Sequence, residues 1–242
     1  VAVFFGQALA VYCAVIYLLH IETSTESCSV CISANGHIVA INETHQGFNH
    51  AANIAVQIQQ CLLNANIQIT QLAAVAVSKG PGSYTGLRVG VSTAKGLCYA
   101  LGIPLIAVPT LQAMITGFVQ QHPLLINDIL VPMIDARRME VYMALAMPHQ
   151  EPTPAQAVIL ISNTFELYNQ PIHLFGSGAT KAKTLYENQQ HINIHEGFLC
   201  SAAHMVKESL QRFQQKQFEN VAYFEPYYLK EFVGTTPKNK SF

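Results

Sequence analysis

The stretch Val77-Ser78-Lys79-Gly80-Pro81-Gly82-Ser83-Tyr84-Thr85-Gly86-Leu87-Arg88-Val89-Gly90-Val91 holds the residues best placed to do chemistry. Gly80 and Gly82 around Pro81 permit a tight strand-to-helix turn, and Ser83 or Thr85 is positioned to cap the first amides of the following helix. A helix start of that kind binds anions through its unpaired N–H groups and the positive end of its dipole. It is not a Walker loop, because Leu87 stands five residues after Gly82 and no Lys-Ser/Thr pair follows. A capped turn that binds nothing accounts for the local pattern equally well. Gly176-Ser177-Gly178 before a predicted helix is a weaker candidate for a phosphate or an adenosine, against the competing reading of a plain turn.

The remaining reactive side chains form no recognisable catalytic set. The sequence has two aspartates, Asp128 and Asp135, and no Ser/His/Asp or Cys/His nucleophilic constellation can be assembled from spacing. Cys28 and Cys31 form a C-x-x-C, but Ser27 to Ser33 reads as a strand, where residues three apart point to opposite faces. His191 and His195 have the interval of a helical metal pair, yet the run alternates as a strand, which sets their Cα atoms about 13 Å apart. Zinc ligands sit about 2 Å from one ion, so no metal is expected there. His45 and His50 are five apart in a Gln-Gly-Phe loop.

These residues are carried by a chain of 242 residues, 50% apolar and 11% charged. Soluble domains average about 25% charged, so either much of the surface is covered by partners or part of the chain is not soluble. A formal charge of −1 leaves no cationic excess for gripping nucleic acid unaided. Six cysteines without dense regular spacing read as reduced cytoplasmic thiols. Val1 to Ile21 is almost wholly apolar. Residues 1–16 are expected to be an extension joined to a soluble domain, because Gly6 and Gln7 interrupt the run and no Lys or Arg precedes it. A membrane tether is the alternative.

Strands are predicted at Tyr17–Ile21, Cys28–Ser33 and His37–Ile41, the last two joined by the hairpin signal Asn35-Gly36. A helix fits from about Asn49 to Asn64, a strand Leu72–Val77, a long helix from about Ser83 to Leu101 closed by Gly102, and a strand Ile103–Val108. The order β-β-β-α-β-α-β places two helices on a mixed sheet. A second α/β half, 109–242, follows the first, 17–108, with strands Ile129–Ile134 and Glu140–Ala146 and helices near Ser177–Glu187 and Ser201–Gln214. In the long helix Gly86, Gly90 and Ala94 fall four apart. Each interior glycine costs about 1 kcal/mol against alanine, so the row implies the close approach of another backbone. Apolar or small residues cover roughly 220° of this helix, beyond the about 100° needed for one sheet. A second neighbour is therefore expected: the preceding helix, another subunit, or both.

Leu19-His20-Ile21-Glu22-Thr23-Ser24-Thr25-Glu26 with Cys28-Ser29-Val30, Gly80 through Gly90, Ala94-Lys95-Gly96-Leu97, Gly102-Ile103-Pro104, Ile134 through Tyr142, and Pro226-Tyr227-Tyr228-Leu229 together resemble the TsaB (YeaZ) family. The likeness spans about Tyr17 to Glu231. It implies the actin-like ATPase (ribonuclease H-like) superfold with two similar α/β halves. It also implies a non-catalytic subunit without cofactor or metal that partners a TsaD-like enzyme and a TsaE-like ATPase, or pairs as a homodimer. Such a complex transfers a threonylcarbamoyl group to the tRNA adenosine beside the anticodon, and this chain would meet tRNA only through the complex. Carried over by position, the partner face comprises Ile54, Ile58, Leu62, Tyr84, Gly86, Arg88, Gly90, Val91, Ala94 and Leu97. A nucleotide or anion would meet Glu22, Thr23, Ser24, Gly82, Ser83, Gly176 and Gly178. Glu22 stands where the family commonly has Asp, which weakens hydrolysis. A small-molecule kinase or ATPase of the same fold is the alternative.

Overall fold

The computed structural model describes residues 15–45, 49–123 and 125–230. Most of the expected extension 1–16 lies outside them, and among the described residues no helix is long and apolar enough to cross a membrane. The first half holds β1 (Tyr17–Glu22), β2 (Cys28–Ala34), β3 (His37–Thr44), α1 (His50–Asn64), β4 (Leu72–Gly80), α2 (Tyr84–Leu101) and β5 (Leu105–Pro109). After α3 (Thr110–Gln121) come β6 (Ile129–Asp135), β7 (Glu140–Met143), β8 (Gln156–Ile159), β9 (Ile172–Phe175), α4 (Lys183–Tyr186), β10 (Ile192–His195) and α5 (Val206–Gln214).

The two sheets repeat one plan. Their orders are β3-β2-β1-β4-β5 and β8-β7-β6-β9-β10. In each, the first three strands form an antiparallel meander and the last two join in parallel. This is the two-lobed actin-like architecture that the resemblance implies. Local chemistry explains the edges of the elements. Asn35 and Gly36 both take positive φ, 51° and 83°, the twist that a two-residue hairpin requires. Ser83 caps α2 by accepting from Gly86 N at 3.3 Å, and Gly102 ends it at φ 65°.

Strand alternation divides the first half's core. Leu19, Ile21, Cys28 and Val30 face α1 and α2, whereas Leu18, Cys31, Ala76, Ile106 and Val108 face α3 and α5. Cys28 and Cys31 thus lie on opposite faces of β2 as buried free thiols, and burial pushes the Cys28 thiol up to about 11. α5 belongs spatially to the first sheet although it follows the second in sequence. A single cut near residue 109 therefore does not separate the halves: the apolar underside of β1 and β5 needs cover, and α5 supplies it. Both late predicted helices are shorter than expected and begin as 3-10 turns, Ala179–Ala182 and Ala202–Met205. α3 is not among the predicted helices: Pro109 stands at its start and no side chain caps it.

Candidate functional site

The glycine row of α2 is filled from within the chain. A methyl group at Gly82 would run into Ser24 O, one at Gly86 into Thr23 O, and one at Gly90 into the Thr23 hydroxyl. Thr23 Oγ1 donates to Gly86 O at 2.8 Å, and Ser83 N donates to Ser24 O at 2.6 Å. The backbone that the glycines admit is therefore the β1–β2 loop of the same polypeptide. This corrects the partner-face expectation for Gly86, Gly90, Val91 and Ala94, all buried, and for Ile54 and Ile58, which lie in the same core. Leu62 and Leu97 pack half-buried against that core. Arg88 is exposed and Tyr84 half-buried.

The second neighbour of α2 is equally internal. Lys95 Nζ donates to Ala222 O at 3.1 Å and Phe224 O at 2.9 Å, and the Tyr84 and Tyr228 rings lie 4.6 Å apart. Tyr227 N donates to Lys79 O at 2.7 Å. Residues 219–228 thus strap one edge of α2, and only its outermost strip faces solvent: Thr85, Arg88, Ser92, Gly96, Tyr99 and Ala100. Beside it α1 exposes Ala51, Ala52, Ala55, Val56, Gln59, Gln60, Leu63 and Asn64. α1 has no Asp, Glu, Lys or Arg in its 15 residues. Val56, Leu63 and Tyr99 are 64%, 66% and 86% exposed. Val56 and Leu63 stand seven apart, two turns of α1 and offset from the buried Ile54 and Ile58, a signal that sequence reasoning passed over.

The nucleotide and anion candidates are also occupied by the fold. Glu22 is buried and accepts from Ser24 N; burial raises its pKa, and the hydrogen bonds from Ser24 oppose the rise. The Ser83 amide, the donor an anion would need, is taken by Ser24 O. Gly178 N is likewise spent on Met133 O at 3.0 Å, and Ser177 Oγ accepts from Asp135 N at 3.1 Å. Gly176 takes φ 99°, and a methyl group there would run into Met133 O and the Met114 side chain. These loops are fastened to the β1–β2 loop and to β6; the Ser83 and Gly178 amides are not free for a phosphate.

His195, which strand spacing separates from His191, meets another histidine. Its Nε2 lies 2.8 Å from His173 Nδ1, and His173 Nε2 lies 2.9 Å from Asp128 Oδ2. His122 sits alongside, its ring 5.2 Å from that of His195. Burial first, then His173 and His122, lowers the His195 pKa. Among the described residues no group of three such side chains is arranged to hold a metal ion.

A family model described as TsaD, tRNA N6-adenosine threonylcarbamoyltransferase, matches residues 39–238. The tRNA threonylcarbamoyladenosine biosynthesis protein TsaB of Haemophilus influenzae is 38% identical over 125 residues, 52% of this chain and 51% of that protein. The match to this relative thus spans about half its length. The protein of the same description from Bacillus subtilis is 27% identical over 222 residues, 88% of this chain and 93% of that one. Among solved structures, YeaZ from Pseudomonas aeruginosa superposes with a TM-score of 0.74 at 20% identity, covering 88% of this chain and 100% of that one.

Proposed function

Because the chain belongs to the TsaD family of tRNA N6-adenosine threonylcarbamoyltransferases, in its TsaB (YeaZ) branch, we propose that it supports threonylcarbamoyl transfer to tRNA as a non-catalytic subunit. It docks through the outward strip of α1 and α2 onto a TsaD-like enzyme, with a TsaE-like ATPase as third component and tRNA reached only through the complex. The same strip serves a homodimer in the partner's absence. The cytoplasm, where tRNA resides, is its place of work. The observation that carries the reading is the uncharged outer face of α1, with Val56 and Leu63 exposed on it and Tyr99 exposed on the neighbouring α2. Large apolar groups on a charge-free surface gain free energy only when covered.

Two further observations support a non-catalytic role. Glu22, the one acid at the end of β1, is buried and already accepts from Ser24 N, so a magnesium ion would have to compete with that bond for the carboxylate. The amides that would cradle a phosphate are hydrogen-bonded internally. The rival reading, a kinase or ATPase, requires magnesium-dependent nucleotide turnover by the isolated chain that is lost in Glu22→Ala. The deciding experiment purifies this chain with a TsaD-like enzyme and measures threonylcarbamoylation of tRNA with and without it. Modification unaffected by its omission, with no co-elution, rejects the proposal.

A further inference from the structure

Where the two halves meet, the ends of β4, β5 and β7, the first turn of α3, the 151–155 loop, α5 and the C-terminal segment line a half-open cavity of about 340 Å³. Junctions between domains are where small-molecule sites concentrate, and this volume lies at the small end of their range, about 300–1,000 Å³. None of residues 22–24, 82–83 or 176–178 lines it, so it is distinct from the loops considered above. Its walls are apolar and stiff: Pro81, Pro109, Pro152, Pro154 and Leu111.

Gly80 pairs with Pro109 across β4 and β5, which brings Lys79 close to the start of α3. Lys79 lines the cavity, and its ammonium is in no ion pair among the described residues. Leu111 and Gln112, in the first turn of α3, also line it, and no side chain caps that helix. Thr110, wholly buried between the lining residues Pro109 and Leu111, has a hydroxyl without a partner, and so does the Gln112 carboxamide oxygen. Turning the Gln112 amide about its last bond would present its NH₂ instead.

The charges define what fits. Arg212 Nε donates to Glu208 Oε1 at 2.8 Å, so this lining pair is internally balanced. Lys79 is left as one free cation, and Glu151, also unpaired among the described residues, stands on the same cavity as a free carboxylate. One negative group is welcome beside Lys79 and the positive end of α3, whereas Glu151 repels further negative charge. We propose that this cavity binds a small organic monocarboxylate, its carboxylate held by Lys79 and the start of α3 and its apolar body laid on the prolines and Leu111.

The proposal does not depend on the partner reading and is tested on the full chain alone. The ¹⁵N-labelled protein is titrated with 4-methylpentanoate, 4-methylpentan-1-ol, inorganic phosphate and ATP, following the amides of Leu111 and Gln112. Saturable shifts are expected with 4-methylpentanoate, at least tenfold weaker binding in Lys79→Met, and at least tenfold weaker binding of the alcohol and of phosphate to the parent chain. No saturable shift with the carboxylate, equal binding of the alcohol, or tighter binding of ATP at these amides overturns it. The alcohol comparison needs no variant, so the test stands even if Lys79→Met fails to fold.

Discussion

Replacing Gly90 by Ala separates an internal from an external purpose for the glycine row of α2. On an exposed helix the change would stabilise by about 1 kcal/mol through propensity. Here the new methyl meets the Thr23 hydroxyl, which donates to Gly86 O at 2.8 Å. Overpacking of a filled core costs about 1–3 kcal/mol, and loss of the buried hydrogen bond adds about 1 kcal/mol. Against the propensity gain, the net expectation is a loss of about 1–3 kcal/mol in urea unfolding. Thr23→Ala removes the obstructing oxygen, so the double variant should be more stable than the sum of the single changes predicts, by about 1 kcal/mol or more. Gly96, whose methyl would meet nothing within 4 Å, is the control: Gly96→Ala should stabilise by about 0.5–1 kcal/mol. A Gly90→Ala chain as stable as the parent, yet unable to pair with a partner, would refute the internal assignment and restore a notch open to another molecule.

Leu63→Glu, on the exposed face of α1, should leave stability within about 0.5 kcal/mol while weakening partner association at least tenfold by calorimetry, about 1.4 kcal/mol. His20 is wholly buried between Ser33 Oγ at 2.9 Å and Ser209 Oγ at 3.1 Å, and burial lowers its pKa to about 3. The folded value lies below the unfolded one of about 6.5, so its stability contribution is complete above pH 6.5 and shrinks as pH falls toward 3. Urea titrations between pH 6.5 and 4 should show this group's slope of about 1.4 kcal/mol per pH unit, absent in His20→Gln. Lys95→Met deletes the two Lys95 hydrogen bonds to the middle of the C-terminal segment, and limited proteolysis should then cut near the exposed Tyr223 before the rest of the fold is touched.

The hairpin at Asn35-Gly36 and the span of α2 were legible because their causes are local: two positive-φ residues, one serine cap and one terminal glycine. The purpose of the glycine row was not. Four-residue spacing announces that a backbone comes close, but its owner, Thr23, lies 63 positions before Gly86, and sequence spacing has no record of that distance. Spacing correctly separated His195 from His191 but could not supply its partner: the fold brings up His173, 22 positions away, and through it Asp128. Ile54 and Ile58 were assigned to the right helix and the wrong side of it. The carboxylate cavity was invisible, since its walls come from six separate segments.

The strap across α2 has a bearing on biosynthesis. Lys95 finds its carbonyl at Phe224 only after 129 further residues have been joined, a wait of roughly 6–26 s at about 5–20 residues per second. Throughout that interval the Tyr84–Lys95 flank of the nascent first half is without the segment that later covers it.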